Sequence, residues 1–241
     1  MSTAPVIEPQ VPATQPKLGV RALLQLVGAS AWWTGSIFLS AGRLDWVRGW
    51  ISVALWVAGM GAIGIVGYRY NPAVMIARSQ RHRKDTKHFD KIFWAFYFPL
   101  VCIQPVMAGL DVVRLRWSLM AFSFVYIGAI AFIVAVVLMA GVLCVNPFAE
   151  ETVRIQTDRG QTVITSGPYR FVRHPMYTGS IFLYLGNPLV LGSVWAFIVG
   201  VVIAALLIWR TSREDATLQQ ELRGYEEFTK QTRYRLLPGI W

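Results

Sequence analysis

Apolar runs of about twenty residues, the length that crosses a bilayer, alternate with short polar segments along most of the chain. Such runs extend over about Val20–Ala41, Trp50–Tyr68, Ile92–Leu110 and Ser118–Val145. A further apolar block, Tyr177–Trp209, is too long for one simple crossing and is interrupted by the helix-breaking run Gly186–Pro188. We predict a helical hairpin joined near Asn187, with one kinked helix as the alternative, and therefore six membrane segments in all.

The composition also indicates a membrane protein. Hydrophobic residues make up 55% of the chain and charged residues 15%, whereas a soluble domain has about 25% charged residues. Residues 1–18 are polar and proline-rich, and we interpret them as a disordered N-terminal leader. The predicted fold class is an all-α integral membrane protein, with four transmembrane helices within residues 19–145.

Basic residues decide the predicted orientation. The segment between the second and third apolar runs contains Arg69, Arg78, Arg81, Arg83, Lys84, Lys87 and Lys91. Because segments rich in lysine and arginine stay in the cytoplasm, this segment is predicted to be cytoplasmic. With six membrane segments both termini lie on the same side as this segment, and they are therefore predicted to be cytoplasmic too. The same sorting, with anionic lipid, explains the net charge of +10, so nucleic acid is not an expected partner. Cys102 and Cys144 lie inside apolar runs and indicate neither a disulfide nor a metal site.

The long polar segment before the hairpin has a different pattern. The β-branched runs TVRIQ and QTVIT flank TDRG, which predicts a small β-hairpin with its turn at Gly160. The stretch SGPYRFVRHPMY follows, in which Gly167-Pro168 predicts a turn and Pro175 suits the first position of a helix. This loop is therefore the candidate functional segment.

Charged side chains surround the predicted start of that helix. The basic residues beside it are Arg170, Arg173 and His174. With the free amides of a helix N-terminus they suit a carboxylate or phosphate, and contact with lipid phosphates is the alternative. A hairpin also brings Glu214 and Asp215 close to them, and acidic and basic walls together suit a zwitterion. Arg210, four residues before Glu214, is most simply explained as its partner in a surface ion pair.

These residues resemble a known family. SGPYRFVRHPMYTG, LGNPLVLGS, REDATLQQEL and GYEEFTKQTRYRLLPGIW are similar to the isoprenylcysteine carboxyl methyltransferase superfamily, which includes phospholipid N-methyltransferases. AGRLDWVRGW and VNPF resemble its uncharacterised bacterial branch. The matching positions are Gly167, Pro168, Tyr169, Arg173, His174, Pro175, Tyr177, Glu214 and Asp215. Asp215 departs from the pattern, because the family usually has a second glutamate there.

The resemblance implies that S-adenosylmethionine binds between the loop, the hairpin and the C-terminal amphipathic helix, all within residues 146–241. The cofactor-binding residues it implies are Gly167, Pro168, Tyr169, Arg170, Val172, His174, Pro175, Tyr177, Glu214 and Asp215. The predicted catalytic residues are Arg173, His174 and Glu214. Arg173 would orient a carboxylate of the substrate or of the cofactor, and the roles of Arg170 and Arg173 are not separated. Glu214 would contact the amino group of the cofactor's methionine part.

The predicted function is methyl transfer from S-adenosylmethionine to a lipophilic or lipidated substrate that enters from the bilayer. The methyl acceptor, whether carboxylate, amine, phenol or thiol, stays open, as does the oligomeric state. The alternative enzyme is an NADPH-dependent membrane reductase of the sterol type, and a transporter or scaffold is the non-enzymatic alternative. The predicted location is the bacterial inner membrane, with the active site at the cytoplasmic face.

Overall fold

The structure is a computed structural model that describes residues 20–78, 85–118 and 120–241. The predicted leader, residues 1–18, lies outside the described residues. The helices are α1 (Val20–Ala41), α2 (Val47–Tyr70), α3 (Pro72–Arg78), α4 (His88–Gly109), α5 (Phe124–Val145), α6 (Pro175–Leu191), α7 (Val194–Glu221) and α8 (Tyr225–Gln231). A π-helical stretch, Leu110–Arg114, continues α4.

Membrane-spanning character is confined to fewer helices than predicted. Within the described residues four helices are long and apolar enough to cross a bilayer: α2, α4 with its π-helical continuation, α5 and α7. The prediction of six membrane segments is therefore wrong. Helix α6 has 17 residues, about 26 Å of helix, which is shorter than the hydrocarbon layer. Helix α1 is interrupted by polar side chains: Gln25, Ser30, Thr34, Ser36 and Ser40.

The predicted helical hairpin is present as α6 and α7, but its turn lies at Gly192–Ser193 rather than near Asn187. Gly192 has a φ of +83°, and the Ser193 hydroxyl accepts a hydrogen bond from Ala196 N–H at the start of α7. Pro188 lies inside α6 because the carbonyl it leaves unpaired, that of Tyr184, accepts a bond from the Gln104 amide of α4 at 2.9 Å.

Small residues let α5 and α6 approach closely. A Cβ at Gly128 would lie 2.5 Å from the carbonyl oxygen of Gly186, and one at Gly186 would lie 2.8 Å from the Cβ of Ala131. Such small-residue contacts are a common way for helices to pack in membranes. The α5–α6 pair holds the start of α6, and thus the candidate loop, in place.

The β-hairpin prediction is wrong, because the described loop residues 146–174 contain no strand. Thr157–Arg159 form a 3-10 turn that ends at Gly160, whose φ is +60°. Side chains take the backbone partners that a ladder would need: Gln156 N–H donates to the Gln161 side chain, and Val153 N–H donates to Asp90. The predicted C-terminal amphipathic helix corresponds to α8, which buries Tyr225 and Phe228.

Candidate functional site

The hairpin brings the acidic end of α7 to the basic residues of the loop, as the sequence predicts. Arg173 forms a two-point ion pair with Asp215, with Nε 2.8 Å from Oδ1 and Nη2 3.1 Å from Oδ2. His174 Nε2 lies 3.1 Å from the same Oδ1. Loop and helix are thus joined by charge as well as by packing.

Asp215 is fully buried and has more partners than these two. Arg235 Nε lies 2.9 Å from Oδ2, and the Tyr225 hydroxyl donates to Oδ1 at 3.0 Å. Gln219 donates to Oδ2 at 2.8 Å. Burial and the charge of Asp215 raise the pKa of Tyr225, so this phenol stays a donor over the physiological range. Asp215 therefore cross-links the loop, α7 and the C-terminal tail.

Arg173 is fully engaged by the protein. Its Nη1 donates to the carbonyls of Thr232 and Arg233 at 2.9 and 2.6 Å, in addition to the Asp215 pair. Burial lowers the pKa of Arg173, but the hydrogen bonds and charge of Asp215 outweigh this, and the pKa is raised overall. The backbone N–H groups of Arg173 and His174 donate to the tail carbonyls of residues 234 and 235. The tail is thus fastened to the start of α6.

Glu214 points to a different neighbour than Asp215 does. Its carboxylate accepts a short hydrogen bond from the Tyr177 hydroxyl. The rings of His174 and Tyr177 are stacked, with centroids 5.9 Å apart and an interplanar angle of 12°. These side chains form one wall of a cavity, and Tyr169, held by Asn146 at 2.6 Å, forms another part of it.

Arg210 is not a surface residue, and the expected surface ion pair with Glu214 is wrong. It is 5% exposed, with Nη2 2.7 Å from Asp90 Oδ1 and 2.6 Å from the carbonyl of Glu151. Its guanidinium lies 4.4 Å from the ring centroid of Phe93 and 5.2 Å from that of Tyr177. No sequence pattern indicated this pairing, because Asp90 lies 120 residues earlier in a strongly basic segment.

A cavity of about 800 Å³ extends from the loop into the helices. Its polar end is lined by residues of the loop, α6 and α7: Asn146, Glu150, Glu151, Tyr169, His174, Tyr177 and Glu214. Its other end is an aromatic arm between α1, α2 and α4: Trp32, Trp33, Trp56, Met60, Trp94, Tyr97, Phe98 and Val101. Arg210 also lines the cavity. A cavity of this size and polarity suits a polar ligand beside an apolar one.

The predicted site residues divide into two groups. Those that line the cavity are Tyr169, Arg173, His174, Tyr177 and Glu214. The others stand behind the wall or at the surface: Gly167, Pro168, Arg170, Val172, Pro175 and Asp215. Arg170 is exposed, whereas Val172 is buried under the loop. Gly167 has a φ of +59° and supports the 3-10 turn that positions Tyr169.

The part of the wall that the sequence did not indicate is the loop between 150 and 159. Arg154 is 3% exposed at its side chain and bonds Glu150, Asp158 and Asp85 at 2.9, 2.8 and 3.1 Å. The hydrogen bonds of Glu150 raise the pKa of Arg154 and outweigh the effect of burial. The acidic residues on either side of Arg154 in the sequence could have indicated this cluster of ion pairs. Among the described residues no group of three or more histidine, cysteine or acidic side chains could hold a metal ion.

The segment that contains this site matches a known family. Residues 123–223, from the start of α5 to just past α7, match the model for phospholipid methyltransferase. That family is part of the isoprenylcysteine carboxyl methyltransferase superfamily of membrane methyltransferases, which confirms the resemblance found in the sequence. The match suggests a membrane methyltransferase.

A curated relative points to a neighbouring class of enzyme. The chain is 31% identical over 90 residues to the Delta(14)-sterol reductase TM7SF2 of Mus musculus. The similarity covers 36% of this chain and 22% of the reductase, so the chain spans less than a quarter of that relative's length. The similarity is therefore limited to this shared segment and does not cover the rest of the reductase.

Proposed function

We propose that the protein is a membrane methyltransferase that binds S-adenosylmethionine at the polar end of the cavity and methylates a lipophilic substrate held in the aromatic arm. The observation that carries this proposal is the continuity of the cavity. One space joins a charged pocket under the loop to an arm lined by tryptophan, tyrosine and phenylalanine. Two ligands of opposite polarity can meet there at one point, as a transfer reaction requires.

The residues at the polar end fit the cofactor. The Glu214 carboxylate suits an ammonium group, and Tyr177 fixes its position. The stacked rings of His174 and Tyr177 offer flat faces, which suit a cation or an adenine ring. The bound cofactor supplies an electrophilic methyl group on a positively charged sulfur. Tyr169, His174, Tyr177 and Glu214 are the binding residues that we propose.

Arg173 and Asp215 have a positioning role in this proposal. Every hydrogen-bonding nitrogen of Arg173 already has an acceptor in the protein, which leaves little capacity for a substrate carboxylate. Their ion pair instead fixes the loop against α7, which sets the distance between His174 and Glu214. Because these groups are held in place before any ligand binds, alignment of the reactants costs less reorganisation.

The chain's own part in the reaction is alignment and exclusion of water. The aromatic arm holds the substrate's apolar part, and the loop covers the polar end. If the acceptor group carries a proton, His174 or Glu214 is the candidate to receive it, since both line the cavity.

Calorimetric binding to purified protein tests the proposal. S-adenosylmethionine and S-adenosylhomocysteine are expected to bind, and Glu214→Ala is expected to weaken both by roughly 30-fold or more, because it removes the carboxylate that meets the ammonium. Glu214→Gln, which keeps an acceptor for Tyr177, should also lose most of the affinity. Glu221→Ala on the same helix is the matched control and should bind normally. Unchanged affinity in both Glu214 variants would remove this residue from the site.

The similarity to a sterol reductase supports one alternative, a reductase that binds NADPH at the same polar end. The same calorimeter distinguishes the two functions, since NADPH is titrated into the same preparation. Binding of NADPH without binding of S-adenosylmethionine would replace the methyltransferase by the reductase. Failure of all three ligands to bind would leave a non-enzymatic membrane protein.

We propose an orientation in which both termini and the loop face the cytoplasm of a bacterial inner membrane. Thr165 is exposed in the loop and lies outside the cavity wall, and Leu44 is exposed at the opposite end of the bundle. In a variant with Cys102→Ala and Cys144→Ala, a membrane-impermeant maleimide is expected to label Leu44→Cys in intact cells. Thr165→Cys should react only after the cells are opened. The reverse pattern would show that the orientation is inverted.

A further inference from the structure

The cavity has unused hydrogen-bond donors where its polar end meets its aromatic arm. Arg210 Nε and Trp94 Nε1 are buried and have no acceptor among the described residues. The two groups are neighbours, since the guanidinium carbon lies 5.6 Å from the Trp94 ring centroid, and both residues line the cavity. Trp56, deeper in the arm, has a third such N–H. Leaving a buried donor without an acceptor is unfavourable, so these groups require an external acceptor.

A pair of tyrosines adds a further donor at the same place. The hydroxyl oxygens of Tyr97 and Tyr184 are 2.6 Å apart, and the Tyr97 ring lies 5.3 Å from the ring of Trp94. Each hydroxyl carries one hydrogen, but only one of the two hydrogens can lie between the oxygens. The other has no acceptor among the described residues, and both tyrosines line the cavity. The junction therefore presents donors from α4, α6 and α7.

The acidic groups of the cavity wall are committed elsewhere. Glu150 is paired with Arg154 and Arg159, and Glu214 accepts from Tyr177. Glu151, which also lines the cavity, is paired with Arg78 at 3.8 Å. Asp90, which balances Arg210, does not line the cavity. An ammonium group at the junction would meet the Arg210 guanidinium and indole N–H groups, none of which can accept a hydrogen bond from it. An anionic oxygen would meet groups that can all donate to it.

We infer that the methyl acceptor is an anionic oxygen, a carboxylate or a phenolate, bound by Arg210 together with Trp94 and the Tyr97–Tyr184 pair. The inference rests on the proposed methyltransferase function and names the acceptor class of that site. A lone pair of the oxygen forms the new bond to the methyl carbon while the carbon–sulfur bond breaks, and its electron pair stays on sulfur. The products are a methyl ester or ether and a neutral thioether. An anionic acceptor releases no proton, whereas an ammonium acceptor must lose one.

The test follows transfer of tritiated methyl groups from S-adenosylmethionine in membranes that contain the protein. Four probes with one tail are added in parallel: hexadecanoate, para-hexadecylphenol, hexadecylamine and hexadecanethiol. Label is expected in an added or endogenous membrane lipid as a methyl ester, released as methanol by mild alkali, or as an alkali-stable aryl ether. Label in an amine, recognised by cation exchange, or in a thioether, recognised by nickel desulfurisation, would overturn the inference. Cofactor binding without any transfer to an oxygen acceptor would overturn it as well.

Variants of the junction separate substrate binding from folding. Arg210→Gln combined with Asp90→Asn removes both buried charges, and Trp94→Phe keeps the ring but removes its donor. Transfer by the double variant is expected to fall roughly 30-fold or more, with affinity for S-adenosylmethionine within about threefold of the parent. Arg213→Gln, an exposed arginine one turn along α7, is the matched control and should transfer normally.

Two results with these variants would contradict the assignment of Arg210. Unchanged transfer in the double variant would show that the arginine does not contact the acceptor. A parallel loss of cofactor affinity would show that it binds the cofactor's own carboxylate. If the parent protein does not bind S-adenosylmethionine at all, the proposed function fails first, and the calorimetric measurement reports this separately.

Discussion

Replacing Asp215 with alanine is expected to lower the free energy of unfolding by about 3–5 kcal/mol. The carboxylate is fully buried and is the shared counter-ion of Arg173 and Arg235, with His174 also in contact. Its removal leaves the buried Arg173 guanidinium without a carboxylate and frees the C-terminal tail from α7. In a protein of this length the midpoint of thermal unfolding should fall by roughly 6–20 °C, as measured by circular dichroism in detergent.

The control for this experiment is an ion pair at the surface. Lys87 and Glu221 are paired at 2.6 Å, but their side chains are 32% and 43% exposed. Glu221→Ala should therefore cost no more than about 1 kcal/mol. If Asp215→Ala melts at the same temperature as Glu221→Ala, the cross-link that we describe does not stabilise the fold.

Replacing Gly128 with alanine is expected to lower the free energy of unfolding by about 1–3 kcal/mol, although alanine is the better helix former. The new methyl group would lie 2.5 Å from the carbonyl oxygen of Gly186 and 2.7 Å from the amide nitrogen of Val190. Both atoms belong to the backbone of α6, so only a shift of the whole helix relieves the contact. Because α6 begins at the loop, cofactor affinity should fall together with thermal stability.

Gly64 provides the matched substitution. It lies within α2, and a Cβ there would meet nothing within 4 Å. Gly64→Ala is expected to leave stability unchanged or to raise it by up to about 1 kcal/mol, with normal cofactor binding. Equal destabilisation by both substitutions would show that close packing of α5 and α6 is not the cause.

Helix positions were predictable from the sequence because hydrophobicity and proline act locally. The bounds Val20–Ala41 agree with α1, and Pro175 opens α6 as its type and position indicate. The turn of the helical hairpin was misplaced because Pro188 normally breaks a helix. Its lost hydrogen bond is compensated by Gln104 of another helix, and a local pattern does not contain that contact. The β-hairpin failed for a similar reason, since side chains such as Gln161 replace the ladder bonds.

The candidate site shows the same division between local and distant information. The motif around His174 and the acidic pair after it were sufficient to predict that loop and α7 meet. The motif did not indicate that Asp215 occupies Arg173 completely, because that depends on the distance and angle between two elements. The role of Arg210 depends on Asp90, which lies in a different helix, and no spacing rule connects them.

The pairing of Asp90 with Arg210 has a consequence for the order in which the protein is made. The two residues are 120 positions apart, so at a synthesis rate of about 5–20 residues per second Asp90 waits roughly 6–24 s for its counter-ion. During that interval α4 carries a carboxylate without the arginine that balances it in the folded protein. In a nascent chain stopped before α7, α4 should therefore not be stably packed against the other helices. The cavity should form only after α7 has been synthesised.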